Sequence, residues 1–173
     1  MYTKKLLLVA AGSFISFLSF ADDTQALIDR ARSAAPSMVS AEATVIYRGK
    51  TLVEGRNGWV CMPETLPDDN APICNDAQWM KMLTAVSNQA DFRAEGIGVS
   101  YMLQGDGGVS NSDPYHPNPM KAHDFIKEGP HLMLIVPKEI LKGMTDDPAA
   151  GGPYVMWKDT PYAHIMIPVG ERE

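Results

Sequence analysis

This chain is poor in cysteine, has no apolar stretch long enough to cross a membrane, and carries none of the short motifs that announce common chemistries. Only Cys61 and Cys74 are present among 173 residues, which excludes a disulfide-dense scaffold and a cysteine-based zinc module. Their spacing is far from Cys-x-x-Cys, so a redox-active pair is excluded as well. Gly-x-Ser-x-Gly is missing, as are the phosphate-binding Gly-Lys-Ser/Thr loop and His-Glu-x-x-His. Basic residues are outnumbered, 15 Lys and Arg against 21 Asp and Glu, for a formal net charge of −6. A negative surface argues against nucleic acid or an anionic membrane as partner. The acids are scattered, as in Asp22-Asp23, Asp68-Asp69 and Asp146-Asp147, and none forms an acidic tail.

What is present begins at the N-terminus. Lys4 and Lys5 precede an apolar run from Leu6 to Phe20, and Ser19-Phe20-Ala21 offers a small-x-small cleavage site before Asp22. The run is roughly 15 residues, short of the ~20 that span a bilayer. This pattern predicts a secretory signal peptide over 1–21, export to the periplasm or the medium, and no membrane anchor after cleavage. The remaining 22–173 is the length of one domain. In an oxidising compartment the two cysteines are expected to pair, closing a loop that contains Pro63, Pro67 and Pro72 and in which no helix or strand is expected.

The periodicities predict an α+β domain with a mostly antiparallel sheet, two or three covering helices and long loops. A helix is expected from Asp23 or Thr24 to Ser33, stopped by Pro36. Ala43–Tyr47, Thr51–Glu54 and Trp59–Met62 read as an antiparallel meander. A second helix starts at Asn75 or Asp76 and carries Trp79, Met82, Leu83 and Val86 on one face. Ile97–Leu103 reads as a strand with Ile97, Val99, Tyr101 and Leu103 on one side. The stretch 104–128 is mostly irregular, with a short helix near 121–127. His131–Val136 reads as a central strand and Pro137–Leu141 as a short helix. Tyr154–Trp157 and His164–Val169 read as a closing strand pair.

The sharpest chemical feature is an echo. His131-Leu132-Met133 and His164-Ile165-Met166 each place His-x-Met at the start of an apolar strand. Residues i and i+2 of a strand share a face, so each pair sets an imidazole beside a thioether. If the two strands are neighbours, His131, Met133, His164 and Met166 form a candidate metal set that suits copper, Cu(I) above all. The competing reading is that the histidines hydrogen-bond buried groups while the methionines fill an irregular core, as Met80, Met82, Met102 and Met156 would.

Other constellations are weaker. The loop from Gln104 to His116 is dense in glycine and oxygen-bearing side chains. Asp106, Asn111 and Asp113 are candidate ligand-binding groups there, for an organic ligand or for calcium, although the EF-hand spacing is missing. His116 and His123, with Asp113 or Asp124, have the chemistry for zinc but no known zinc spacing. Trp59, Tyr101, Tyr115, Tyr154, Trp157 and Tyr162 have the character of pocket-lining aromatics.

Asn57-Gly58-Trp59-Val60-Cys61-Met62-Pro63, Tyr101-Met102-Leu103-Gln104-Gly105-Asp106, Gly129-Pro130-His131 and Gly151-Gly152-Pro153-Tyr154-Val155-Met156-Trp157, with Thr160-Pro161-Tyr162-Ala163-His164, resemble small exported bacterial proteins of an uncharacterised family. The resemblance implies a single exported domain and no activity. Three readings of function follow. The first is a binding protein for a small ligand or a copper or zinc ion. The second is a hydrolytic enzyme with His131 or His164 as general base and Asp106 orienting it. The third is a cell-envelope interaction module that uses the 104–128 loop as its contact surface.

Overall fold

The computed structural model of the chain describes residues 15–172. The first 14 residues of the expected leader lie outside that range. The architecture is α+β: eight strands form one sheet, two more form a small ribbon, and helices cover parts of both faces.

Helix α1 spans Ile15–Ser33, so the backbone helix continues through the expected cleavage junction and does not begin at Asp23. No proline or glycine stands between Phe20 and Ser33 to stop it. Ile28 and Ala31 are its buried residues. Pro36, at φ −56° and ψ 149°, follows α1 and stands at the N-cap of the single turn α2, Ser37–Ser40, where its missing N–H forfeits no intrahelical bond.

The main sheet contains β1 (Thr44–Tyr47), β2 (Lys50–Val53), β3 (Val60–Met62), β4 (Ile73–Asn75), β5 (Gly98–Met102), β8 (His131–Ile135), β9 (Tyr154–Met156) and β10 (His164–Pro168). Their order is β2-β1-β3-β4-β5-β8-β10-β9. The β1–β2 hairpin is as expected, but β3 does not extend a meander. It lies on the other side of β1 and parallel to it. The chain crosses over the start of β1, where Gly55 packs so closely that a Cβ would lie 2.1 Å from the Thr44 nitrogen. A second departure is β4, which lies inside the cysteine loop. Pro72 precedes it, leaving Ile73 to Asn75 free to pair with both β3 and β5.

Cys61 and Cys74 are opposite each other on β3 and β4 and form a disulfide. The bridge is buried beneath α1, with Ala31, Ala43 and Val45 around it. Helix α3, Ala77–Ser87, is capped by Asp76, whose side chain accepts from Trp79 N–H at 2.8 Å. Trp79 and Met82 face the opposite side of the sheet, which holds the larger core.

Strand β5 keeps its expected alternation, and the structure shows which face is the core. Ile97 is 67% exposed, whereas Gly98, Ser100 and Met102 are the buried residues. Val99 and Tyr101 are half-buried on the far face. The deeper core therefore lies on the face of small and sulfur-bearing residues, against α3. In the 104–128 stretch the expected short helix is replaced by a 3₁₀ turn at Pro119–Lys121 and a ribbon of β6 (Val109–Ser110) and β7 (Phe125–Ile126). Asp124 directs this by accepting from Ser110 Oγ and Ser112 N–H, both at 2.8 Å.

The disulfide spans 13 positions, and closing a loop of that size stabilises the fold by roughly 3 kcal/mol through restriction of the unfolded chain. A Cys61→Ala/Cys74→Ala variant is expected to lose about that much in urea denaturation. A loss below about 1 kcal/mol would show that the paired strands, not the bridge, hold this region together.

Candidate functional site

Both histidines lie on the α3-facing side of the sheet, where the register arranges them with methionines. Strand β8 pairs antiparallel with β10 so that Met133 lies opposite Met166. On the outer flanks, β5 sets Met102 opposite His131 and β9 sets Met156 opposite His164. Directly opposed residues have Cβ atoms about 4.5–5.5 Å apart. The four candidate ligands thus do share one face of adjacent strands. The two histidines stand at opposite ends of it, ~13 Å apart along the strands, with the two thioethers between them.

His131, His164 and Met166 are between 0% and 1% exposed, and Met133 is buried as well. The two rings are held alike. His131 Nδ1 lies 2.7 Å from Gly129 O, and His164 Nδ1 lies 2.9 Å from Tyr162 O. A carbonyl accepts only, so each Nδ1 carries a proton, and in the neutral ring Nε2 then presents a lone pair. Neither Nε2 has a hydrogen-bond partner. Buried acceptors without partners are uncommon and call for an explanation. Full burial with a backbone partner is what the core-histidine reading expects of both rings. What that reading leaves unexplained is the bare Nε2 of each, the form in which a histidine serves as a metal ligand.

The two ends differ in their surroundings. His164 is met edge-on by Trp79 at 5.2 Å and by Trp157 at 5.1 Å. Trp79 Nε1 is also buried and unpaired, so an idle donor stands near an idle acceptor without meeting it. Trp157 takes a left-handed backbone, φ 54°, costly for so bulky a residue. It is fixed there by its N–H on Asn111 O at 2.8 Å and its indole N–H on Ser110 O at 3.0 Å. Burial pushes the His164 imidazole down to about 4, against the opposing effect of the Tyr162 carbonyl, and the His131 charge lowers it further.

Beside His131 lies a buried polar cluster that the sequence did not single out. Glu128 Oε1 accepts from Tyr154 Oη at 2.9 Å and from Arg172 Nε and Nη2 at 2.9 and 2.6 Å, while Oε2 is unpaired. Burial, and then the Glu128 carboxylate, raise the Tyr154 phenol far above its ordinary range. Asp106 is also raised by burial, against the His131 charge and two backbone N–H donors. Gly129 lets the C-terminal segment close over this cluster, since a Cβ there would sit 1.9 Å from Glu171 O. Glu128 and Arg172 are 44 residues apart, which is why no local pattern reveals them.

The loop candidates prove to be backbone staples. Asp106 Oδ1 accepts from Gly108 and Glu128 N–H, both at 2.9 Å, and so does not orient His131. Asn111 Nδ2 donates to Asp146 O, and Asp113 Oδ1 accepts from Tyr115 N–H. These turns account for the loop's composition without calcium. Among the described residues no three His, Cys, Asp or Glu side chains converge to hold an ion, so His116, His123, Asp113 and Asp124 do not assemble the zinc site that their chemistry allowed. The aromatics divide between regions: Trp59 stacks near Tyr101 beside α1, while Tyr115 Oη donates to Tyr162 Oη at 2.7 Å beneath the long loop. Two surface clefts, of about 260 and 310 Å³, are lined by neither histidine.

No family model, curated protein or solved structure matches the chain. The chemistry of the site therefore has to be read from its geometry.

Two outcomes check this geometry. The His164 value lies below the ordinary 6.5, so between pH 6.5 and about 4 the unfolded chain binds a proton that the native one refuses. The stabilisation is complete above pH 6.5 and is lost as pH falls to about 4. His164→Asn, which keeps a donor for Tyr162 O, is expected to flatten that part of the urea-midpoint profile. An unchanged profile would mean that the ring is not neutral and buried. Arg172→Ala leaves Glu128 buried without its cation and is expected to cost about 2 kcal/mol, read by the same assay.

Proposed function

We propose that this is an exported protein that binds a soft metal ion, Cu(I), on the histidine–methionine face of its sheet. The observation that carries the reading is the pair of buried imidazoles, each anchored through Nδ1 and each with a bare Nε2, set among thioethers. Thioether and imidazole donors together favour Cu(I), whereas zinc and calcium favour carboxylate, thiolate or imidazole sets. The buried disulfide is compatible with export. Among the described residues no helix is long and apolar enough to cross a membrane.

The hydrolytic alternative has little to support it. A general base must reach its substrate, but neither imidazole reaches solvent and Asp106 is engaged with backbone. The interaction-module alternative keeps one specific observation: Met120 is 78% exposed on the long loop, near exposed Tyr115 and Phe125. Loss of envelope partners from a Met120→Ser/Phe125→Ser variant in crosslinking would favour it.

The metal reading is tested by anaerobic titration of Cu(I) into the chain against a chromogenic Cu(I) chelator, with elemental analysis of the recovered protein. The wild-type chain is expected to withdraw copper from the chelator. His131→Asn/His164→Asn, verified as folded by circular dichroism, is expected to bind at least tenfold more weakly. A wild-type chain that never competes, even after refolding with Cu(I) present, would sink the proposal.

A further inference from the structure

Resting on that reading, the register points to more than a single ion site. We infer that the face holds two separate half-sites, Met102–His131–Met133 and Met156–His164–Met166, each able to take one Cu(I) in a three-donor setting.

The inference comes from a local two-fold relation. Met133 and Met166 face each other across the antiparallel β8–β10 pair. In any antiparallel pair a two-fold axis perpendicular to the sheet passes between opposed residues. Rotation about the axis between these two methionines carries each residue of β8 to the residue 33 positions later on β10, and hence His131 to His164. The same rotation carries β5 to β9, and Met102, opposite His131, to Met156, opposite His164. The backbone partners obey the same rotation: each Nδ1 meets the carbonyl two residues before its own histidine. Each Nε2 thus has one thioether two residues along its own strand and another directly across on the outer strand. All four of these methionines are buried in one core cluster.

The sequence echo shows only half of this relation. His-x-Met is local, whereas Met102 and Met156 lie on strands that precede their histidines by 29 and 8 positions. A single ion bound to both histidines would need their Nε2 atoms within about 4 Å of each other. The ~13 Å offset along the strands, filled by Met133 and Met166, disfavours that arrangement. The ends are also unequal. One is closed by Trp79 and Trp157, the other borders Glu128 and Asp106. Two ions are therefore expected to bind with different affinities.

The test is the copper stoichiometry of the full folded chain, with Met102→Leu and Met156→Leu as probes, since Leu for Met conserves volume and is tolerated in cores. ¹⁵N NMR of the imidazoles, with Ag(I) as an air-stable d10 stand-in for Cu(I), assigns each ion to its ring. Two ions per chain are expected. Met102→Leu should weaken the one that shifts His131 Nε2 at least tenfold and spare the other, and Met156→Leu should do the converse at His164. One ion per chain, shifting both rings together, would overturn the double site and leave copper binding standing. Two ions whose affinities ignore both substitutions would overturn the assignment of Met102 and Met156. No binding at all would overturn the copper reading itself.

Discussion

The pairing of Met133 with Met166 fixes more of this molecule than any other contact. A strand register is all-or-none: a slip by one residue would turn every inward side chain outward. With these two methionines opposed, both histidines face the core, and β5 and β9 bring Met102 and Met156 alongside them. The row continues through Ser100, opposite Met133, to Asn75, where Ser100 Oγ donates to Asn75 Oδ1 at 2.7 Å. Small and polar residues in the middle of the sheet leave room for α3 to press Trp79 and Met82 onto it. The register explains the burial, and the burial explains why the His164 imidazole stands neutral and why both rings keep a bare nitrogen.

Around this centre the chain spends its polar side chains on holding irregular backbone. Asp106, Asp113, Asp124 and Asp69 each accept backbone N–H groups that no ladder satisfies. Such acids look like ligands in a sequence because the requirement is similar: oxygens directed at a local positive charge. In a turn that charge is carried by N–H dipoles. Arg172 does the same at longer range, reaching both Glu128 and Pro148 O from the C-terminal segment. The surface ion pair of Arg56 with Glu42 is exposed on both sides and contributes little.

The legible parts of the fold were those governed by short-range rules. The His131 and His164 strands, the Trp79–Met82 stripe and its Asp76 cap follow from period and capping, and the cysteine pair from compartment chemistry. What could not be read depended on partners far along the chain. The parallel seat of β3 is decided by a close approach of Gly55 to Thr44. Strand β4 is decided by two neighbours that accept it. In β5 the alternation of Ile97, Val99 and Tyr101 is legible in the sequence, but not that the deeper core lies on the other face, where Gly98 and Ser100 pack beneath α3. At the site, each His-x-Met pair was visible as local spacing, while Glu128, Arg172, Met102 and Met156 joined it only through tertiary placement.

The burial of this face has a further consequence for how the core ages chemically. Trp157 and Trp79 meet His164 edge-on, and Met133, Met156 and Met166 of the same face are buried in the folded chain. A thioether converted to its sulfoxide gains a polar oxygen in a core whose packing leaves it no room, the idle donors of that face being the Trp79 indole and Asn75 amide N–H groups. Burial shields these methionines in the folded chain, and one oxidised while the chain is open would have to bury that oxygen on refolding. Sulfoxide at Met133, Met156 or Met166 would mark molecules that had unfolded, a durable record of lost structure.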